Sequence, residues 1–294
     1  MNVPMPVRIL FIGDVVGKPG RVMLTKCIPA LVARWDLHLV VANSENAAGG
    51  SGLDAKCLDE ITRAGVDVLT MGDHIYKKKE IMPLLDENRR ILKPANFPTD
   101  APGAEYTIVP ARDGTPVAVF TVLGRVFMRP VDCPFKAADR VLDAIGPQAK
   151  VILCDIHAEA TSDKQVMGRY LDGRASAVLG THTHVPTADE QILPGGTAYL
   201  TDVGMTGPYD SILGRRVDRV TETTISFVPT FFDVATGDPR LCGAKVEIDP
   251  ATGRALAIER VMIREAEANE LAAAHARSGA SPGNVPFASP ATQA

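Results

Sequence analysis

The sequence predicts an α/β fold, and three observations carry that prediction. Short β-branched apolar runs alternate with helical patterns up to about residue 200, which is the pattern of a parallel sheet covered by helices. From Thr197 the texture changes to strand-length runs broken by Asp-Pro and Thr-Gly turns, which fits an antiparallel second layer packed on the first. Five of the expected strands end in a residue able to bind a metal ion. In an open α/β sheet the carboxyl ends of the strands share the edge where ligands bind, so residues distant in sequence converge there.

Taken in order, Val7–Gly13 reads as the first strand and stops at Asp14. The turn Gly17-Lys18-Pro19-Gly20 should open a helix over Arg21–Trp35, where Val22, Leu24, Ile28, Leu31 and Val32 recur at helical spacing. Leu39–Asn43 is the second strand and runs on to Glu45 and Asn46 in a glycine-rich bend. A helix over Leu53–Ala64 precedes the strand Val66–Gly72, which stops at Asp73 and His74, and Lys79–Asn88 is a short amphipathic piece. The helix Pro134–Ile145 leads to Val151–Ile156, which stops at His157, and Ala177–Gly180 leads into His182 and His184. The later half should hold strands at Ala198–Val203, Glu222–Val228, Gly243–Ile248 and Leu256–Ile263.

No repeat of 20 to 50 residues is present, which excludes a solenoid. Residues 1–270 read as one domain. A helical pattern continues over Glu265–Ala276, but 271–294 reads as a disordered C-terminal tail, because Arg277–Ala294 is Ser, Gly, Pro and Ala with almost nothing to bury.

At 294 residues, 46% hydrophobic and 22% charged, the composition is that of a soluble globular protein. A net charge of −4 gives no basic field for tracking a polynucleotide. Any nucleotide held here should therefore be small, with no stable long nucleic-acid partner. No apolar run approaches the ~20 residues of a membrane span, and Met1–Pro6 has neither a basic nor an apolar segment of a secretory signal. The five cysteines are scattered, odd in number and without a C-x-x-C pair. They are expected to be reduced packing residues of a cytoplasmic protein.

The run Gly13-Asp14-Val15-Val16-Gly17-Lys18-Pro19 has three residues between its glycines and a proline after the lysine, so it fails as a phosphate loop. It leaves Asp14 as a carboxylate at a strand end, where a cap or turn role is the ordinary one. Asn43-Ser44-Glu45-Asn46-Ala47-Ala48-Gly49-Gly50 places a carboxylate and an amide, both hard oxygen ligands, on flexible backbone. An N-cap for the following helix is the plainer alternative, and Ser51 or Asp54 can fill it instead. In Met71-Gly72-Asp73-His74 the Asp is a potential ligand and the His a potential proton donor. Gly180-Thr181-His182-Thr183-His184 sets two imidazoles at i and i+2, on one side if extended. Cys154-Asp155-Ile156-His157-Ala158-Glu159 adds a third, and four of the six histidines lie at these strand ends.

These blocks resemble the calcineurin-like metallophosphoesterases, with an early Asp, a second acidic block, a Gly-Asn-His, a lone His and a Gly-His-x-His. Gly13–Gly17, Asn43–Asn46, Gly180–Asp189 and Thr201–Gly207 resemble more closely the YmdB-type bacterial cyclic-nucleotide phosphodiesterases, from about Val7 to Ile263. The resemblance implies a layered sandwich of mixed β-sheets flanked by α-helices. It implies Asp14, Glu45, Asn46 and His184 around one metal ion, and Glu45, Asp73, His157 and His182 around another, with Glu45 bridging. It further implies divalent or trivalent ions, iron first and manganese second, and His74 as general acid. The implied substrates are 2′,3′-cyclic or 3′,5′-cyclic nucleotides, and the implied assembly a dimer or tetramer. One departure falls inside the site: Gly72-Asp73-His74-Ile75-Tyr76 puts a carboxylate where the family has Asn, and Tyr where Trp often follows.

Phosphodiester hydrolysis suits such a constellation, since paired cations neutralise phosphate oxygens and ionise a water near neutral pH while a His protonates the leaving alkoxide. A phosphomonoesterase on the same site and a low-turnover, metal-stabilised regulatory scaffold are the alternatives. A barrel amidohydrolase also uses His-x-His, but at its first strand, whereas here the pair follows four earlier ligand-bearing strands.

Overall fold

Along β1 (Val7–Ile12), Val7, Ile9 and Phe11 face one way and Leu10 and Ile12 the other, and all five are buried. A strand buried on both faces belongs at the centre of a covered sheet. The computed structural model describes residues 5–278 and places β1 there. The first sheet runs β2 (Asp14–Val15), β12 (Met205–Asp210), β13 (Gly237–Ile248), β1, β3 (Leu39–Asn43), β4 (Val68–Thr70) and β5 (Ile91–Leu92), with β14 (Ala255–Arg264) paired to β13. The second sheet runs β10 (Gln191–Ile192), β11 (Ala198–Leu200), β9 (Ala177–Thr181), β8 (Val151–His157), β7 (Pro116–Leu123) and β6 (Tyr106–Pro110).

Both sheets are mixed: the first is parallel from β1 through β3 and β4 to the edge strand β5 and antiparallel where β13 pairs with β1 and β12, whereas the second is parallel through β7, β8, β9 and β11 and antiparallel at its edges. The odd-numbered residues of β1, β3, β7, β8 and β9 pack between the sheets, where Phe11, Val41, Val119, Leu153 and Leu179 share one core. Their even-numbered neighbours pack outwards. Leu10 and Val40, with Leu69 of β4 where the parity is reversed, meet α1 (Gly17–Trp35), α2 (Ala55–Ala64), α3 (Ile81–Glu87) and α7 (Glu265–Ser278). Phe120, Ile152 and Val178 meet α4 (Pro134–Ile145) and α5 (Thr161–Tyr170). The result is a helix, sheet, sheet, helix sandwich.

The layering differs from the expected one. The late antiparallel strands do not form a separate layer. Instead β13 inserts between β12 and β1, paired Val7 to Ile248, and so extends the first sheet. The second layer is built from β7, β8 and β9, which period-2 burial alone cannot assign to one sheet or the other. The hairpin of β6 and β7 and the strand β12 were not anticipated.

Three boundaries also change. The Gly17–Gly20 turn is the first turn of α1 itself, where Pro19 removes an amide that has no helical partner. Glu222–Val228, expected as a strand for its β-branched residues, lies mostly in the helix α6 (Val217–Ser226). There the Thr224 and Ser226 hydroxyls donate to carbonyls four residues back, and no sheet edge is at hand to reward strand propensity. α7 runs to Ser278 through part of the expected tail, because Ala268 and Leu271 are buried on the first sheet's helical layer. The remainder of that tail, 279–294, lies outside the described residues. Among the described residues no helix is long and apolar enough to cross a membrane.

Candidate metal centre

The inter-sheet face that is apolar along most of each strand turns polar at the carboxyl ends. Val41 gives way to Asn43, Val68 to Thr70, Leu153 to Asp155 and His157, and Leu179 to Thr181, all buried. Just beyond these ends the chain delivers the expected site residues. Asp14 opens β2, Glu45 and Asn46 follow β3, Asp73 and His74 follow β4, His157 closes β8, and His182 and His184 follow β9.

One ligand atom from each of Glu45, Asp73, His157 and His182 lies within 4.8 Å of the others. His157 Nε2 is 3.3 Å from Glu45 Oε1, 3.4 Å from Asp73 Oδ1 and 3.0 Å from His182 Nδ1. Beside this group, His184 Nε2 lies 3.7 Å from Asp14 Oδ1 and 3.2 Å from Asn46 Nδ2. Glu45 joins the two groups, since its Oε1 also lies 3.4 Å from Asn46 Nδ2. The Asn46 amide is turned with Oδ1 towards His74 Nδ1, at 2.8 Å, and not towards Asp14. In this arrangement Asn46 orients His74, and ligation through its oxygen requires the amide to rotate.

The residues fit a cation on three counts. Asp14 Oδ1 and Asp73 Oδ1 are buried carboxylate oxygens without a hydrogen-bond partner, one in each group. A Cβ at Gly72 would overlap the His157 ring and the Glu45 carboxylate, so the backbone there leaves room that only glycine preserves. Each imidazole of the three strand-end ligands holds its outer nitrogen against an acceptor and turns the other inwards. His157 Nδ1 meets Thr181 Oγ1 at 2.8 Å, His182 Nε2 meets Glu159 Oε2 at 3.2 Å, and His184 Nδ1 meets the Leu213 carbonyl at 3.0 Å. Metal-binding histidines are oriented in this manner, and carboxylate with imidazole suits iron, manganese or zinc.

The electrostatics agree. Burial acts to raise the Asp14 carboxyl, but the His184 contact and the charges of His184 and His157 outweigh it and hold it well below the usual carboxylate range. Asp73 is lowered in the same way against its own burial, chiefly by His157. Burial disfavours a charged His157, yet Glu45, Asp73 and Asp14 together raise it well above an ordinary histidine. Burial and the His157 charge lower His182, whereas Asp14 raises His184 against burial. Burying charge costs several kcal/mol per ion unless opposite charge accompanies it, so this acidic cluster calls for positive charge.

His182 and His184 both have positive φ, +97° and +65°, which costs a non-glycine residue on the order of 1 kcal/mol or more. The loop is pinned between them. Asp202 Oδ2 accepts from Thr183 Oγ1 at 2.8 Å and from the Thr183 amide at 3.2 Å, and the fully buried Lys164 donates to the same oxygen at 2.6 Å. Lys164, Asp202, Asp155, Thr181 and Glu159 were not singled out from sequence. The signal for Asp155 and Thr181 was present as polar residues continuing a period-2 apolar row.

The cluster floors a cleft of about 270 Å³ whose lining includes His74, Glu159 and Arg215. Arg215 is held by the carbonyls of Gly49, Gly50 and Phe232 and by the Ser51 hydroxyl, at 3.1 Å.

Against known proteins, the model of the YmdB-like protein family matches residues 10–261. The chain belongs to that family. It is 47% identical over 258 residues to a 2′,3′-cyclic-nucleotide 2′-phosphodiesterase of Bacillus subtilis, covering 88% of this chain and 97% of that protein. A hypothetical protein from Thermus thermophilus superposes with a TM-score of 0.83 at 41% identity, over 88% of this chain and all of that one. A crystal structure described as a novel phosphatase of Mycoplasma pneumoniae has the same TM-score of 0.83 at 29% identity, over 89% of this chain and 95% of that one. The two mixed sheets between helices are thus a metallophosphoesterase sandwich.

Proposed function

We propose that this YmdB-like protein is a metal-dependent phosphodiesterase that hydrolyses small cyclic nucleotides, 2′,3′-cyclic or 3′,5′-cyclic, at a dinuclear centre. The observation that carries the reading is the pair of unpartnered buried oxygens, Asp14 Oδ1 and Asp73 Oδ1, in two groups joined by Glu45. Asp14, Glu45, Asn46 and His184 would hold one ion, and Glu45, Asp73, His157 and His182 the other, with iron first and manganese second. The candidate ligands stand at or just beyond strand ends of both sheets, which supports reading residues 1–270 as one catalytic domain.

Bound cations supply charge neutralisation of the phosphate and ionise water near neutral pH. The chain does the rest. His74 is assigned no ligand role: its Nδ1 lies against the Asn46 amide at 2.8 Å and its backbone amide donates to Glu45 Oε2 at 2.8 Å. With the Asn46 amide rotated to put its oxygen on an ion, its Nδ2 would donate to His74 Nδ1 and hold the His74 proton on Nε2, the nitrogen that would give it to the departing alkoxide from the cleft wall. The Arg215 guanidinium, bonded to neutral oxygens in the same cleft, keeps its charge for an anionic phosphate. The five free cysteines agree with a reducing, cytoplasmic setting. Ile225, Phe227 and Phe231, 77%, 88% and 80% exposed around α6, agree with assembly into a dimer or tetramer.

The deciding experiment is elemental analysis of the purified protein, with turnover of 2′,3′-cyclic and 3′,5′-cyclic nucleotides and phosphomonoesters in Mn²⁺ or Fe²⁺. Chelator-sensitive hydrolysis of a cyclic diester is expected. Metal uptake without turnover would favour the scaffold reading, and monoesters alone would favour the phosphatase that the Mycoplasma likeness keeps in view.

A further inference from the structure

Behind His157 lies a buried carboxylate that the reaction does not use. Asp155 is fully buried, and its Oδ1 is 2.7 Å from Thr181 Oγ1, which is in turn 2.8 Å from His157 Nδ1. Its Oδ2 accepts from Thr70 Oγ1 at 2.6 Å and Asn43 Nδ2 at 3.2 Å. The four contributing strands, β3, β4, β8 and β9, come from both sheets.

Counting protons gives this chain of bonds a direction. A carboxylate only accepts, so the single Thr181 hydroxyl proton lies towards Asp155. The same hydroxyl then has only lone pairs to offer His157, and Nδ1 must carry the proton between them. The opposite assignment sets two lone pairs face to face at 2.7 or 2.8 Å. Asn43 Nδ2 also lies 3.2 Å from His157 Nδ1 and 3.4 Å from Thr181 Oγ1; a protonated Nδ1 directs the two Asn43 amide protons to Asp155 and Thr181, whereas a bare Nδ1 would take one of them, and the Nδ1 proton is therefore the quantity to measure.

We propose that Asp155, acting through Thr181, is a positioning residue that keeps the proton on His157 Nδ1 and so makes Nε2 the nitrogen offered to a cation. The cation's role rests on the phosphodiesterase reading above, whereas the relay itself does not. Two properties set it apart from the contact between His182 and Glu159: it is closed to water, and every member lies on a strand. Neither ring rotation nor a change of protonated nitrogen is then available to His157 while the relay is intact.

The test uses the full-length protein and Zn²⁺ as probe. Nitrogen-15 spectra of the protein should show a proton on His157 Nδ1, slow to exchange with solvent, both before and after Zn²⁺ is added, with only the Nε2 resonance moved by the metal. Thr181→Val should lower Zn²⁺ affinity about 10- to 100-fold, the usual cost of losing such an outer partner, and Thr181→Ser should restore it. Asp155→Asn should lower it likewise, because its amide puts protons where Thr70, Asn43 and Thr181 already donate. An unprotonated Nδ1, or wild-type Zn²⁺ affinity in Thr181→Val, overturns the proposal. If Thr181→Val does not fold, the wild-type Nδ1 proton and the Thr181→Ser affinity decide. A wild-type protein that takes up no cation would defeat the phosphodiesterase reading, and the Nδ1 proton alone would then judge the relay.

Discussion

At the floor of the cleft, Asp14, Glu45 and His157 have side chains no more than 1% exposed, whereas at its rim Asp73, His74 and His182 keep 26%, 29% and 21%. The partners differ in the same sense. His157 is backed by a dry relay ending in Asp155, while His182 is backed by Glu159, whose side chain is 51% exposed. A contact between exposed partners is screened by water and salt, and a buried one is not. On the proposed function, the floor would therefore decide where cations sit. The rim, which carries the proposed ligands Asp73 and His182 beside the proposed proton donor His74, is the part that solvent can adjust.

Substitutions ranked by expected effect sharpen or break that division. The largest effect belongs to His157→Ala and His184→Ala, each of which should lose bound metal and fall to background phosphodiesterase activity while remaining folded. Full metal content and full rate in both would dissolve the two-metal assignment. Next comes His74→Ala, which should keep its metal yet lose roughly 10²–10⁴ in rate on nucleotides with poor leaving groups. Nitrophenyl esters, whose leaving group needs little protonation, should slow far less. Equal slowing of both, or loss of metal, would move His74 out of the proton-donor role.

Asp73→Asn installs the amide of the Gly-Asn-His pattern that the chain otherwise resembles and tests the rim as a ligand. Removing one negative ligand should weaken metal affinity on the order of tenfold, as ligand charge tunes cation sites. Isothermal titration with Mn²⁺ measures it, and unchanged affinity would place Asp73 outside the coordination sphere. The smallest effect is expected for Glu159→Gln, roughly fivefold at most in metal affinity and shrinking in high salt, in line with an exposed charge contact. A loss as deep as that of Thr181→Val would erase the distinction between floor and rim.

The site was more legible in the sequence than the fold that holds it. Asp14, Glu45, Asn46, Asp73, His74, His157, His182 and His184 each stand at or just beyond the end of an apolar run, so their meeting follows from the strands sharing an edge. What the pattern could not convey is that the strands divide between two sheets, since alternation is the same in either. The strand expected at Glu222–Val228 failed because propensity there had no sheet to act through. Asn43, Thr70, Asp155 and Thr181 passed unnoticed as ordinary strand residues. Their role depends on two layers facing each other, which no single run can display. The direction of the Asn46 amide likewise rests on His74, contributed by another strand end.

The insertion of β13 between β12 and β1 has a consequence in time. Every candidate ligand has been synthesised by residue 184, but Asp14 is fixed by the pairing of β2 with Met205 and Thr206, and β1 is flanked by residues 243–248. Pairings of such long sequence separation form late and slowly. The candidate ligands thus precede in sequence the strands that frame them. On the proposed function, the group around Asp14 would take its ion only once β12 and β13 have joined the sheet, so the two ends of the described chain would share in building one centre.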